Sequence, residues 1–83
     1  MPNIIIYTTA TCPYCDNAKQ LFKRKGASYI EIRVDQDATL KDEMIQRSGR
    51  RSVPQIFIND QHIGGFDDLA ALEKAGKLDS LLS

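Results

Sequence analysis

The chain has 83 residues, 42% of them hydrophobic, and its 11 basic residues balance 11 acidic ones at a formal net charge of zero. This length suits one domain with a modest core, so we expect a single domain over residues 1–83. A balanced charge gives no electrostatic reason to expect a nucleic-acid or membrane partner. The apolar stretch at the N-terminus is too short for a signal peptide or a membrane span. The sequence therefore predicts a cytoplasmic protein.

An apolar run predicts a first strand over residues 3–8, and two cysteines in C-x-x-C spacing, Cys12 and Cys15, follow it closely. A helical pattern over residues 13–25 begins with Pro13, whose fixed φ and missing N–H suit the first helical position. The start of a helix offers unpaired N–H groups and the positive end of the macrodipole, which lower the pKa of a thiol. Cys12 is therefore the predicted nucleophile, and Cys15 lies one turn away on the same side.

Two other interpretations of the cysteine pair are disfavoured. A structural disulfide across so short a loop would remove little entropy from the unfolded chain. A structural zinc site needs four ligands, and His62 is the one further soft candidate in the sequence. Since thiols in a reducing compartment are more often catalytic than structural, the pair predicts redox chemistry and no metal.

The rest of the chain continues in short elements. Residues 28–34 alternate between apolar and charged side chains and predict a second strand. Strand, helix and strand within about thirty residues imply a parallel pair with a right-handed crossover. A second helix follows, capped by Asp37 or Thr39 and ending near Gly49. The remaining predicted elements are hairpin strands over 55–58 and 61–63 around an Asn59-Asp60 turn, with His62 exposed beside it, a third helix from Asp67 or Asp68, and a helical turn over 78–82.

Three segments of the chain resemble the signatures of dithiol glutaredoxins, most closely the bacterial glutaredoxin 3 type. They are C-P-Y-C at 12–15, S-V-P at 52–54 and G-G-F-D-D at 64–68, in the family's order and at its separations. The resemblance covers nearly the whole chain. It implies an α/β, thioredoxin-like fold: a four-stranded mixed sheet with helices on both faces.

The resemblance also implies the activity, that of a glutathione-dependent thiol–disulfide oxidoreductase. Cys12 would attack protein–glutathione mixed disulfides, and Cys15 would resolve the mixed disulfide formed with a protein disulfide. Glutathione would be the cosubstrate, with no bound cofactor. The partners would be glutathionylated or disulfide-containing proteins, and the protein would act as a monomer.

The family also suggests which residues bind glutathione on the dithiol side. There the proline after valine is cis, so we expect Pro54 to be cis and the Val53 backbone to pair with the cysteine of glutathione. Tyr14 would flank the bound sulfur. Arg47 or Arg51 would meet the glycine carboxylate, although such residues are as often simply solvated.

The second half of the expected glutathione site is the start of the third helix. Gly65 would let the backbone approach the ligand, and the N–H groups of Phe66 and Asp67 would hold the γ-glutamyl carboxylate. Asp68 would take the adjacent ammonium group. The alternative for these residues is a plain turn and helix cap.

The sequence is also compatible with two rival functions. Some relatives hold a [2Fe–2S] cluster between two subunits through the first cysteine and glutathione, which would make the protein a cluster carrier or sensor. Pro13 and Tyr14 crowd that arrangement, and Cys15 competes by forming a disulfide. A thioredoxin-like reductant that needs no glutathione is the other rival, against which the G-G-F-D-D segment speaks.

Overall fold

The computed structural model describes residues 3–83 and contains one four-stranded sheet flanked by four helices. The strands are Ile4–Thr8 (β1), Ile30–Arg33 (β2), Gln55–Ile58 (β3) and Gln61–Gly64 (β4), and the helices are Pro13–Arg24 (α1), Ala38–Ser48 (α2), Phe66–Lys74 (α3) and Leu78–Leu82 (α4). The sheet order is β2-β1-β3-β4. β1 pairs in parallel with β2 and antiparallel with β3, and β3 pairs antiparallel with β4. The mixed sheet is therefore as predicted.

The sheet has a core on each face because successive side chains of a strand point to opposite sides. Ile4 and Ile6 face a first cluster built with α1, α3 and α4, whereas Tyr7 faces a second cluster built with α2. The first cluster consists of Ile4, Ile6, Ala18, Leu21, Phe22, Ile56, Ile58, Leu69 and Leu78, and the second of Tyr7, Val34, Met44 and Phe57. Helices thus cover both faces, as expected. No helix among residues 3–83 is long and apolar enough to cross a membrane.

The second strand is shorter than the predicted 28–34. It lies at an edge of the sheet, where Ile30 leaves 56% of its surface exposed. Its pairing with β1 nevertheless brings Arg33 opposite Thr8, beside the loop that leads to Cys12. This edge strand therefore supports the approach to the first cysteine.

The hairpin turn has the predicted residues, and both Asn59 and Asp60 have positive φ, 52° and 66°. Two left-handed residues in succession give the turn that suits the twist of a hairpin. The expectation that His62 is exposed is wrong. His62 is the cross-strand partner of Phe57 and stacks on its ring with centroids 5.0 Å apart. Cross-strand partners lie on the same face of a sheet, so pairing with Phe57 places His62 on a face that is partly buried. Its position beside the turn was therefore a poor guide to its exposure.

Candidate active site

The first cysteine is the N-cap of α1. Its Sγ accepts a hydrogen bond from Cys15 N–H at 3.1 Å, and Pro13 follows in the first turn. The two cysteines form a disulfide. Cys12 keeps 8% of its surface exposed and Cys15 none. Cys12 is therefore the more accessible of the two cysteines.

The peptide bond between Val53 and Pro54 is cis, as the family resemblance implies. It precedes β3 and turns the chain so that the Val53 carbonyl oxygen lies 3.9 Å from Cys12 Sγ. The dithiol thus faces backbone rather than a charged side chain. A backbone carbonyl beside a reactive sulfur offers a main-chain group with which a peptide-like thiol can pair.

A cleft of about 210 Å³ opens at Tyr14 and Val53, which adjoin the dithiol, although neither cysteine is among its lining residues. Its lining residues come from the start of α1, the loop before β3 and the start of α3: Tyr14, Arg50, Ser52, Val53, Pro54, Gly65, Phe66, Asp67 and Asp68. The structure therefore brings together seven of the eight residues predicted to bind glutathione. The missing one is Arg51, whose place in the lining Arg50 takes.

An ion pair explains why Arg50, and not Arg51, lines the cleft. Arg50 Nη1 lies 3.2 Å from Asp68 Oδ2, so the carboxylate draws this guanidinium into the cleft, while Arg51 remains exposed outside the lining. The other candidate, Arg47, is held elsewhere. Its Nη1 donates to the Tyr7 hydroxyl at 2.8 Å, and its guanidinium lies 4.3 Å from the centre of the Phe57 ring. Sequence position alone could not separate three arginines in five residues.

The third helix begins at Phe66, one residue before the predicted start, because Gly65 is its N-cap. Asp68 Oδ2 accepts a hydrogen bond from Gly65 N–H at 3.0 Å. This bond, followed by the ion pair with Arg50, lowers the pKa of Asp68. Gly64 has φ +119°, and a Cβ on it would overlap the Asp68 carboxylate. The G-G-F-D-D segment therefore builds a cap with a charged oxygen at the rim of the cleft.

The comparisons with known proteins agree with this geometry. The glutaredoxin family profile matches residues 4–63. A glutaredoxin of Pseudomonas aeruginosa is 55% identical over 83 residues, covering 100% of this chain and 99% of the relative, and glutaredoxin 3 of Escherichia coli strain K12 is 57% identical over 82 residues, covering 99% of each. The crystal structure of the buckwheat glutaredoxin–glutathione complex superposes with a TM-score of 0.90 at 33% identity, covering 98% of this chain and 76% of that one. This chain belongs to the glutaredoxin family.

The family assignment confirms the thioredoxin-like fold and makes the protein a thiol–disulfide oxidoreductase with Cys12 and Cys15 as its dithiol. The geometry explains the asymmetry between the two sulfurs. The sulfur at the helix N-terminus is the reachable one and sits where a thiolate is favoured. The buried sulfur, one turn along α1, can attack only a partner already bonded to Cys12.

Behind the cleft of this glutaredoxin lies a buried polar residue that no sequence motif predicted. Gln55 is fully buried; its Nε2 donates to the Ser52 carbonyl oxygen at 3.0 Å, and its Oε1 lies 2.8 Å from His62 Nε2. The sequence does offer one indication of this residue, because Gln55 is a polar residue at the start of a strand that otherwise consists of Ile-Phe-Ile. A buried amide needs hydrogen-bonding partners, and Ser52 and His62 provide them.

A carboxylate outside the cysteine motif fixes the loop before Cys12. Asp35 Oδ2 accepts a hydrogen bond from Ala10 N–H at 3.1 Å, while Arg33 donates to both oxygens of Asp35 at 2.8 and 2.7 Å. The Arg33 hydrogen bonds lower the pKa of Asp35 to about 2. Bidentate, charge-assisted ion pairs between arginine and a carboxylate have a well-defined geometry. The glutaredoxin therefore anchors its nucleophile loop to the edge strand.

Proposed function

We propose that this protein is a glutathione-dependent oxidoreductase that reduces protein–glutathione mixed disulfides and protein disulfides. The observation that carries the proposal is the cleft. It joins the carbonyl of Val53, 3.9 Å from the Cys12 sulfur, to the first turn of α3. The crystal structure of a buckwheat glutaredoxin–glutathione complex, similar over 98% of this chain, supports glutathione as the molecule that fills it.

Glutathione has three groups that the cleft can recognise. Its cysteine would pair with the backbone of Val53, beside the cis proline. Its γ-glutamyl carboxylate would meet the N–H groups of Phe66 and Asp67, which lie in the first turn of α3 and have no partner within the helix. The adjacent ammonium would meet Asp68. Arg51 is exposed and directly follows Arg50 of the lining in the chain, so it stays our proposed contact for the glycine carboxylate.

The proposed reaction proceeds by thiol–disulfide exchange. The Cys12 thiolate attacks the glutathione sulfur of a mixed disulfide, the protein thiolate leaves and takes up a proton, and Cys12 carries the glutathione. A second glutathione thiolate attacks the sulfur of the glutathione bound to Cys12. This forms glutathione disulfide and releases the Cys12 thiolate. With a protein disulfide, the Cys12 thiolate attacks one of its sulfurs and forms a mixed disulfide, and the other substrate sulfur leaves as a thiolate and takes up a proton. The Cys15 thiolate then attacks the Cys12 sulfur, and the second substrate thiolate leaves and takes up a proton. This leaves the Cys12–Cys15 disulfide, which two glutathione molecules reduce.

The rival function, a [2Fe–2S] carrier or sensor, makes a different demand on Cys12, since its thiolate would ligate iron instead of attacking sulfur. The proposal assigns no bound cofactor and a monomeric protein. Protein purified without air should therefore be colourless and monomeric. A visible iron–sulfur absorption together with a dimer mass would favour the rival.

The decisive measurement is the reduction of a glutathionylated peptide, followed by coupling glutathione disulfide formation to glutathione reductase and NADPH. We expect turnover that depends on added glutathione. Thioredoxin reductase with NADPH in place of glutathione should give little turnover. Equal turnover in the two systems would contradict the proposal and indicate a glutathione-independent reductant.

A further inference from the structure

We propose that His62 and Gln55 are positioning residues that set the Val53 backbone for exchange with glutathione. They form, with Ser52, a continuous polar chain that runs from β4 through β3 to the loop beside Cys12. We call these three residues the hairpin relay. The inference rests on the proposed function, because it concerns the same cleft.

The hydrogen bonds of the relay have one consistent direction. Gln55 Nε2 donates to the Ser52 carbonyl oxygen at 3.0 Å and to the Ser52 hydroxyl at 3.3 Å. The amide therefore turns its Oε1, which can only accept, toward His62 Nε2 at 2.8 Å. His62 must carry its proton on Nε2 and donate it. Each polar atom of the Gln55 side chain is thereby satisfied.

Packing alone does not explain an amide at this position. The Gln55 side chain is fully buried in a strand whose other residues are isoleucine and phenylalanine. An apolar residue would fill the same volume without the cost of desolvating an amide. The amide instead fixes the Ser52 carbonyl, one residue before the Val53 carbonyl that faces Cys12.

His62 holds the far end of the relay without reaching the cleft. Its ring stacks on Phe57 with centroids 5.0 Å apart, and it is absent from the cleft lining. Burial, aided by the charge of Arg50, lowers the pKa of His62 and so favours the neutral ring at pH 7. A neutral, stacked donor gives the amide one fixed partner. Displacements of about 1 Å at a reacting group cost large factors in rate or affinity, so fixing the loop has value for exchange.

Two substitutions at His62 separate its hydrogen bond from its stack. His62→Phe keeps an aromatic ring on Phe57 but removes the donor, whereas His62→Gln keeps a donor at a similar reach and removes the ring. We expect His62→Phe to raise the KM for a glutathionylated peptide about fivefold, as loss of one neutral hydrogen bond implies. His62→Gln should restore most of the wild-type KM, and kcat should stay within about twofold in both.

A readout other than turnover comes from a Cys15→Ser background. In a titration with varied ratios of glutathione to its disulfide, the equilibrium constant for glutathionylation of Cys12 should fall in His62→Phe by the same factor as the rise in KM. The rate of Cys12 alkylation by iodoacetamide should not change, because the relay touches backbone and not the sulfur. Equal glutathionylation in wild type and His62→Phe would overturn the inference.

Tyr7→Phe is the matched control, since it removes a hydroxyl bonded to Glu43 and Arg47 in the second core cluster while keeping the ring. It should lower stability without moving KM. If it raises KM as much as His62→Phe does, general loosening is the cause and the inference fails. Gln55→Glu, which keeps the acceptor for His62 but cannot donate to Ser52, should also raise KM. This variant keeps the test valid if His62→Phe does not fold.

The outcomes distinguish this inference from the proposed function. Wild-type protein that turns over without glutathione would defeat the proposed function and the inference with it. Glutathione-dependent wild-type protein with an unchanged KM in His62→Phe would defeat the inference alone. Failure of His62→Gln to restore the KM would show that the stack, and not the hydrogen bond, matters.

Discussion

The sulfur of Cys12 accepts the backbone N–H of Cys15 at 3.1 Å, so the two cysteines are linked by a hydrogen bond as well as by their disulfide. The bond is the side-chain cap of α1, with sulfur in the place where serine or aspartate usually stands. In the reduced protein this donor, together with the helix N-terminus, favours a thiolate at Cys12. In the proposed mechanism, the backbone of the resolving residue would thereby help to activate the nucleophile.

This relationship predicts unequal effects of replacing the two cysteines. Cys12→Ser should abolish exchange on every substrate, because the reachable nucleophile is gone. Cys15→Ser keeps the backbone N–H, so it should retain reduction of a glutathionylated peptide while losing most reduction of an intramolecular protein disulfide. Parallel assays on the two substrates measure the split. Residual exchange by Cys12→Ser would show that the nucleophile is wrongly assigned.

The two roles of Asp68 can be separated by two substitutions. Asp68→Asn keeps an oxygen for Gly65 N–H but loses the charge, whereas Asp68→Ala loses both. We expect each to raise the KM for a glutathionylated peptide about tenfold, as loss of one charged hydrogen bond implies. Only Asp68→Ala should also lower the free energy of unfolding, by about 1 kcal/mol for the lost cap.

A substrate disulfide that contains no glutathione is the control for Asp68. Its reduction should change much less than that of the glutathionylated peptide. Equal losses on both substrates would mean that Asp68 acts as a structural cap and does not recognise glutathione.

Gly64 and Gly76 form a matched pair for testing the close approach of backbone to Asp68. Both have positive φ, 119° and 75°, but an added Cβ would overlap the Asp68 carboxylate at Gly64 and would meet nothing within 4 Å at Gly76. Gly76→Ala should therefore cost only backbone strain, about 1 kcal/mol or slightly more. Gly64→Ala should cost more, because φ 119° lies outside the left-handed region open to alanine and because of the overlap. It should also weaken glutathionylation of Cys12, which Gly76→Ala should leave unchanged.

Urea unfolding and the glutathionylation equilibrium, measured on both glycine variants, test this difference. Similar losses of stability, with glutathionylation unaffected in both, would show that Asp68 moves aside freely and that the close approach does not matter.

Local patterns were enough to predict most elements. Residues close in sequence determine three of these elements: β1 by its apolar run, the start of α1 by Pro13, and the hairpin turn by Asn59-Asp60. The selection of Arg50 over Arg51 could not be predicted, because it depends on Asp68, which is 18 residues away in sequence. The same holds for His62, whose burial depends on its pairing with Phe57 across the hairpin.

The motifs likewise located the dithiol and the cleft but not their supports. Gln55 lies outside every signature segment, and its bonds to Ser52 and His62 exist only once the hairpin has formed. Asp35 reaches Ala10 across 25 residues. Side-chain to backbone bonds of this kind leave no periodic trace, so a pattern of residue types cannot reveal them.

Asp35 predicts a specific dependence of stability on pH. The Arg33 hydrogen bonds lower the pKa of Asp35 from its ordinary 3.8 to about 2 in the folded protein. Because the folded pKa is the lower one, the ionised carboxylate stabilises the fold above pH 3.8, and this contribution is lost as the pH falls toward 2. Asp35→Asn removes the contribution but keeps an oxygen for Ala10 N–H. The stability gap between wild type and Asp35→Asn should therefore be widest at pH 5 and shrink steadily below about pH 4.

Urea unfolding of both proteins at several pH values between 5 and 2 measures that gap. The control is Asp42→Asn, which removes an exposed carboxylate of α2. Its gap from wild type should vary little over the same range, because surface charges contribute little to stability. A gap for Asp35→Asn that stays constant from pH 5 to pH 2 would show that the Arg33 pair does not hold Asp35 in its ionised form. The anchoring of the nucleophile loop would then depend on the Ala10 hydrogen bond alone.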